Sequence, residues 1–239
     1  MRGKIIVIEG TDCSGKETQT KALVKYLETK GRKVKRYSFP MYDTPTGKIV
    51  GGPFLGKPAI CEGYFPEKAP NVDPLVSSLY YLADRVYNMP KIIKDLEEGY
   101  DVILDRYTYS NMAHQGGKIS DREERFSKYE FLGNLEFNLF NLPIPDIRIF
   151  IHMPYEAATI LKEGRVEEAA DQNEADENHL RNAERAFLEV ASKYDFKIIE
   201  GVKEGTSVIT RDSIKSIETI ANEIDLFVDE NLDNKVKSF

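Results

Sequence analysis

Short apolar runs alternate along the chain with longer segments of helical spacing. Residues 4–8 read KIIVI and lead directly into a glycine-containing turn, the pattern of a strand buried in a parallel sheet. Beyond that turn Ala22, Leu23, Tyr26 and Leu27 recur at helical spacing, and Gly31 supplies a stop after the last turn. Residues 33–39 form a second predicted strand, so the first forty residues make one strand–helix–strand unit with a right-handed crossover. Asp73-Pro74 pairs an N-cap with a proline at the first helical position, and Leu75, Leu79, Leu82, Val86, Met89 and Ile93 follow at helical spacing as far as Gly99. Pro90 is expected to kink or divide that helix. Further strands are predicted at residues 101–105 (DVILD), 147–152 and 196–199, and a last helix from about residue 213 with Ile214, Ile217, Ala221, Ile224 and Phe227 on its apolar face. Strand and helix in alternation predict an α/β architecture around a central parallel sheet.

Two stretches break the alternation. Residues 40–72 contain six prolines and no clear period, which predicts a long irregular excursion. Residues 162–178 are polar with little to bury, which predicts a mobile segment. No repeat or linker divides the chain, and one domain over residues 1–239 is expected.

Composition narrows the partners. The 239 residues suffice for a core without disulfide staples. With 33 Lys and Arg against 40 Asp and Glu, a generic basic surface for nucleic acid or anionic lipid is not expected. The two cysteines, Cys13 and Cys61, suit a reducing compartment, and the cytoplasm is the expected location. No apolar run approaches the roughly 18 residues of a membrane span, and the start of the chain is too weakly apolar for a secretion signal.

The residues with candidate chemistry sit where strands end. Gly10-Thr11-Asp12-Cys13-Ser14-Gly15-Lys16 fits G-x-x-x-x-G-K between a predicted strand and a predicted helix. Glycines at both ends let backbone N–H groups wrap an anion, the helix amino end adds partial positive charge, and Lys16 reaches outer phosphates. Glu17 stands where Ser or Thr usually holds magnesium, with Thr18 and Thr20 nearby but out of register. Asp105-Arg106-Tyr107, then Ser110, Asn111, Ala113 and Gln115, begin where another strand ends, so they are expected to face the same crevice. An arginine there forks onto phosphate oxygens. Taken singly, Tyr81 reads as core, Asn111 as a helix cap, His114 as a surface histidine and Cys13 as a small space-filler.

Together these segments resemble the thymidylate kinases. Glu9-Gly10-Thr11-Asp12 with Gly15-Lys16 and Thr18-Gln19 is similar to that family's phosphate loop, Phe39-Pro40 to its F-P turn, Ala83-Asp84-Arg85 to its A-D-R helix motif, and Asp105-Arg106-Tyr107 with Ser110, Asn111 and Ala113 to its D-R-Y block. The similarity spans about residues 4–200. Residues 47–71 and the last roughly 20 match none of these motifs, so the chain is expected to run somewhat longer than typical relatives.

The resemblance implies a three-layer phosphate-loop NTPase fold and transfer of the γ-phosphoryl of ATP to dTMP with magnesium. By the same resemblance, Gly10, Thr11, Cys13, Ser14, Gly15, Lys16, Glu17 and Thr18 would hold ATP. Tyr81 would stack on thymine, with Arg85 and Asn111 at the base edges. Arg106 would hold the monophosphate, Tyr107 and His114 would crowd the sugar, and Phe39, Pro40, Tyr42, Ser110 and Gln115 would complete the acceptor site. Asp12 and Glu174 would organise the metal, Asp12 also the acceptor phosphate, residues 162–178 would form a lid that brings Arg165 to the transferring phosphoryl, and a homodimer is implied. Either Glu17 ligates magnesium directly, or it points away along the helix and the two other acids hold the metal. A kinase for another nucleoside monophosphate or a deoxynucleoside, and a non-catalytic nucleotide-binding module, are the alternatives.

Overall fold

The computed structural model describes residues 2–11, 13–162 and 176–232. In chain order these form β1 (Ile5–Gly10), α1 (Lys16–Thr29), β2 (Val34–Ser38), α2 (Pro45–Ile49), α3 (Pro74–Glu97), β3 (Asp101–Asp105), α4 (Thr108–Gly117), α5 (Arg122–Gly133), β4 (Ile147–His152), α6 (Tyr155–Lys162), α7 (Glu177–Lys193), β5 (Lys197–Glu200) and α8 (Ile217–Leu232). Among the described residues the strands make one five-stranded sheet in the order β2-β3-β1-β4-β5, every pair parallel.

β1 lies at the centre and its residues alternate between two cores. Ile5 and Val7 face a cluster that includes Leu104, Phe150, Met89 and Ile92 of α3, Met112 of α4 and Phe187 of α7. Ile6 and Ile8 face the opposite cluster, with Leu23 and Leu27 of α1 and Ile220, Ile224 and Val228 of α8. A period of two along one strand therefore places a helical layer on each side, the three-layer α/β arrangement that the alternation predicts.

Four details depart from expectation. α3 runs without interruption through Pro90, which is exposed while Met89 and Ile92 beside it are buried, so packing carries the helix across the missing hydrogen bond. At the start of that helix the expected apolar stripe leaves the core: Leu75 and Leu79 are exposed, and only from Leu82 onward does the stripe pack. The buried row of α8 is Ile220, Ile224, Val228 and Leu232, one i, i+4 track; Ile217 is exposed, and Ile214 lies outside the helix in an antiparallel bridge with Val202.

The fourth departure is the largest. Residues 40–72 fold into α2, a π-helical turn at Val50–Phe54 and a 3-10 turn at Ala69–Asn71, around a cluster of Val50, Phe54, Leu55, Ala69 and Val72. Phe54 stacks on Tyr80 of α3 at 5.3 Å and meets Phe65 edge-on at 5.8 Å. Lys118, just past α4, ties the segment down by donating to the carbonyls of Ala69 (2.9 Å) and Val72 (2.8 Å) and to Ser77 Oγ (3.0 Å). Aromatic side chains at irregular spacing build this cluster, and periodicity does not reveal such an arrangement.

β4 ends in a clasp. His152 Nδ1 lies 2.8 Å from Glu200 Oε2 on β5, its Nε2 lies 2.9 Å from Glu184 Oε1 on α7, and Glu184 Oε2 accepts from the Tyr155 amide at 3.0 Å. Burial disfavours the charged imidazole, yet the two carboxylates outweigh it and raise its pKa. A folded pKa above the unfolded one means the stabilisation is complete below about pH 6.5 and fades as pH rises through the folded value. His152→Gln is expected to cost about 1–2 kcal/mol at pH 6, with the gap from the parent shrinking at alkaline pH. Urea unfolding across a pH series measures this.

Candidate active site

The phosphate loop leaves β1 at Gly10 and enters α1 at Lys16. A Cβ on Gly10 would lie 2.5 Å from Ser14 Oγ and 2.9 Å from the Ile151 carbonyl, so only glycine fits, and Gly15 turns the chain at φ 80°. Thr11 Oγ1 donates to the Met153 carbonyl at 2.9 Å, which fastens the loop to the segment after β4. Lys16 is buried, its Nζ 2.6 Å from the Thr11 carbonyl and 3.5 Å from Ser14 Oγ, inside the turn it would share with a phosphate. Cys13 packs on Met153, Ala157 and Ala158. Thr18 is exposed, and Asp12 lies outside the described residues.

Glu17 sits on the solvent face of α1, where its carboxylate pairs with Lys21 at 2.6 Å; that hydrogen bond holds its pKa below the usual value. The buried hydroxyl in this turn is Thr20, which donates to the Glu17 carbonyl (3.0 Å) and accepts from Arg36 Nε (2.6 Å), while Arg36 Nη2 pairs with Asp105.

The second element is the turn from β3 to α4. Arg106 adopts φ 66°, a left-handed conformation that turns the chain sharply, and its N–H donates to the Ile8 carbonyl at 3.2 Å. The Arg106 side chain is half-buried, with Nη1 3.4 Å from Ser110 Oγ and 3.5 Å from His114 Nε2. His114 Nδ1 lies 3.1 Å from Nε2 of His179 on α7, and the two rings stack at 5.3 Å. Glu9, the penultimate residue of β1, fixes this turn from below: Oε1 accepts the amides of Tyr107 (2.8 Å) and Ser110 (3.0 Å), and Oε2 accepts from the Ser110 hydroxyl. Burial dominates and pushes the Glu9 carboxyl up to about 7 against the opposing effect of these bonds and of Arg106.

The third element is a buried polar knot. Glu136 accepts from Arg85 Nε and Nη2, both at 2.6 Å, from Thr108 Oγ1 at 2.8 Å and from Asn111 Nδ2 at 3.0 Å, and all four side chains are almost fully buried. Asn111 Oδ1 and Gln115 Oε1 are buried and receive no hydrogen bond among the described residues. Asp84, beside Arg85, accepts from the Met41 amide and Thr46 Oγ1, both at 2.9 Å, and anchors the segment after Phe39-Pro40 to α3. Tyr81 is half-buried and meets Phe54 edge-on at 5.6 Å. Tyr42 is half-buried under Lys57 Nζ, 5.0 Å above its ring.

Tyr107 needs correction. The ring expected to crowd a sugar is fully buried between Phe39 and Phe137, and its hydroxyl donates to the Pro143 carbonyl at 3.1 Å. It is a core residue, and of the pair assigned to the sugar only His114 stands beside Arg106. Phe39 is likewise buried in that core, with Pro40 half-buried behind it.

Between α6 and α7 lies a cavity of about 550 Å³, counted with its open mouth, lined by Thr11, His114, Met153, Leu180 and Phe187 among others. The expected lid falls between these helices. Residues 163–175, with Arg165 and Glu174, lie outside the described residues; the lid's expected far end at 177–178 is the first turn of α7.

Glu9, Glu136, Asp84 and His179 were not among the residues assigned roles by sequence. Glu9 and Glu136 carried a readable signal, a lone carboxylate within or closing an apolar run. Removing one partner of the buried Glu136–Arg85 pair is expected to cost about 3–5 kcal/mol, so Glu136→Leu should unfold far more readily than the double variant Glu136→Leu, Arg85→Met, in which no charge is stranded. Denaturant titration of the single and double variants measures the coupling.

The family profile described as thymidylate kinase matches residues 8–212. Thymidylate kinase of Carboxydothermus hydrogenoformans is 35% identical over 205 residues, 85% of this chain and 92% of that protein. The human thymidylate kinase is 28% identical over 220 residues, covering 90% and 93% of the two chains. The solved structure of thymidylate kinase from Candida albicans shares the fold, with a TM-score of 0.67 at 24% identity over 96% of this chain and 92% of that one. Phosphate loop, parallel sheet and sequence agree: this chain belongs to the thymidylate kinase family, within the phosphate-loop NTPase fold.

Proposed function

We propose that this protein transfers the γ-phosphoryl of ATP to dTMP, giving dTDP and ADP, and that it does so in the cytoplasm as a homodimer. Among the described residues no helix is long and apolar enough to cross a membrane. The exposed Leu75, Val76 and Leu79 on α3 support a second copy seated there. One catalytic domain over residues 1–239 belongs to the same proposal.

The observation that carries the reading is the convergence of the phosphate loop and Arg106 at the carboxyl ends of β1 and β3, neighbouring strands in register from Ile5↔Val102 to Ile8↔Asp105. Two anions held at adjacent strand ends are placed for transfer from one to the other. Phosphoryl transfer asks little covalent work of a protein; positioning and charge neutralisation do most of it.

In this mechanism the loop amides from Gly10 to Gly15 cradle the donor phosphates, and Lys16 neutralises charge as it moves. Arg106 grips the acceptor phosphate with its planar fork. On the base side Arg85 has spent Nε and Nη2 on Glu136, which leaves Nη1 for a base edge, and Asn111, whose Nδ2 is likewise engaged, offers Oδ1 to a ring N–H. Tyr81 supplies the stacking face. By the resemblance to the family, Arg165 would neutralise charge on the transferring phosphoryl. Asp12 and Glu174 are carboxylates, the donor type magnesium takes, and would hold it; bound there, the ion would neutralise charge on the transferring phosphoryl. Glu17 is occupied with Lys21, which favours the reading that places it away from the metal.

Purified protein given ATP and magnesium is expected to phosphorylate dTMP best, dUMP less well and dCMP least. A missing methyl is worth only about 1–3 kcal/mol, whereas a mismatched base edge strands polar groups. Equal kcat/KM for dCMP and dTMP overturns the pocket assignment, and absence of ADP release with any acceptor favours a binding module. Arg106→Ala is expected to lower turnover and acceptor affinity by orders of magnitude while ATP affinity changes little, and Arg106→Lys to restore little of it, because lysine lacks the fork. Steady-state kinetics with each substrate varied separate these effects. Glu17→Ser is expected to keep most activity and an unchanged magnesium optimum, whereas a large upward shift in the magnesium requirement would make Glu17 a ligand.

A further inference from the structure

Arg106, Ser110 and Glu9 form a chain of three polar groups that runs from the crevice into the core: Arg106 Nη1 to Ser110 Oγ, and Ser110 Oγ to Glu9 Oε2. The two oxygens of Glu9 are not equivalent. Oε1 is filled by two backbone donors, Tyr107 N and Ser110 N, whatever its charge. Any proton on this carboxyl must therefore sit on Oε2, facing the Ser110 hydroxyl.

That placement gives the hydroxyl two orientations. With Glu9 ionised, the single proton of Ser110 points inward to Oε2, and Ser110 turns only lone pairs toward Arg106. With Glu9 protonated, Oε2–H donates to Ser110 Oγ, and the serine proton is released to point outward beside the arginine. An arriving phosphate, which accepts hydrogen bonds only, is met by a lone pair in the first state and by a donor in the second.

We propose that Glu9 is a positioning residue whose protonation turns the Ser110 hydroxyl outward, so that docking of the acceptor's phosphate on Arg106 is coupled to uptake of one proton by Glu9. This rests on the reading of Arg106 as the acceptor-phosphate arginine. The proton comes from solvent, binds Oε2 as the dianion arrives, and returns to solvent when the product leaves.

The surroundings of Glu9 favour such a titration. It is 1% exposed. On the β4 side its register partner is Phe150, and a small void beside it is lined by Phe187, Val190 and Ala191 of α7 and by Phe196. Tyr109 of α4 also faces it; burial raises that phenol to about 12, so it stays neutral, and Arg148 of β4 engages Tyr109. Asp105 on β3 is turned to Arg36. Arg106 is thus the cation that favours the Glu9 anion.

The test is calorimetric titration of the full chain with dTMP at pH 7.5 in buffers of different ionisation enthalpy, which counts the protons taken up. With the carboxyl raised to about 7, part of the population begins unprotonated at this pH, so the parent is expected to take up a measurable fraction of a proton. The acceptor phosphate, with its second pKa near 6, contributes little there. Glu9→Gln keeps an acceptor for the two amides and a donor for Ser110 but cannot titrate; its uptake is expected to fall to the small phosphate contribution. Ser110→Ala, which removes the link and keeps the carboxyl, is expected to lose most of the uptake as well. Equal uptake in the parent and in Glu9→Gln overturns the inference, and so does full uptake in Ser110→Ala.

Stability serves as an independent readout of the carboxyl. A folded pKa above the unfolded value means that the parent loses stability relative to Glu9→Gln as pH rises from about 4.5 through 7. A constant difference over that range overturns the inference even where dTMP binds. Failure of the parent to bind dTMP, with this pH-dependent difference present, removes the acceptor reading and the coupling with it.

Discussion

β1 lies between β3 and β4 with all six of its residues buried, and the rest of the molecule is arranged around the polar demands of its carboxyl end. A strand enclosed on both faces has no wall on which to display a functional side chain, so its chemistry gathers where the chain leaves the sheet. There the backbone turns through Gly10 and Gly15, the amino end of α1 faces the loop, and Glu9 takes the amides that open α4. The loop and the arginine turn are thus built against one strand, and their separation is set by sheet geometry rather than by flexible connections.

The polar region between α3 and α4 follows a different rule. Its polar groups lie deep, and each is held by a carboxylate: Arg85, Thr108 and Asn111 by Glu136, and the backbone after Phe39-Pro40 by Asp84. Buried ion pairs add little net stability against a well-packed apolar alternative, because desolvation consumes most of the attraction. What Glu136 does supply is orientation, since a bidentate grip allows the Arg85 guanidinium one plane.

Much of the frame was legible in the sequence. The apolar runs located the strands to within a residue or two, and the glycine spacing located the phosphate loop, because both patterns arise from local backbone requirements. Long-range packing was not legible. Periodicity placed Ile217 on the buried face of α8, whereas contact with α1 and the sheet chose the track through Ile220 and Ile224. The resemblance placed Tyr107 at the sugar, yet the sharp turn at Arg106 sends the next side chain into the core. Residues 40–72 looked irregular because their cluster draws on Phe54 and Phe65 from the excursion and Tyr80 from α3, a combination that no single period records.

The separateness of that cluster divides the protein's inheritance into two accounts of substitution. Phe54 braces Tyr81 and belongs to a group of apolar residues distinct from those that stabilise the sheet. A change of side-chain volume at Val50, Leu55 or Phe65 falls in the cluster that packs on Tyr81, separate from the cluster of Leu23 and Ile149. Under the proposed function, the wall of the acceptor pocket can therefore vary separately from the loop proposed to hold the triphosphate.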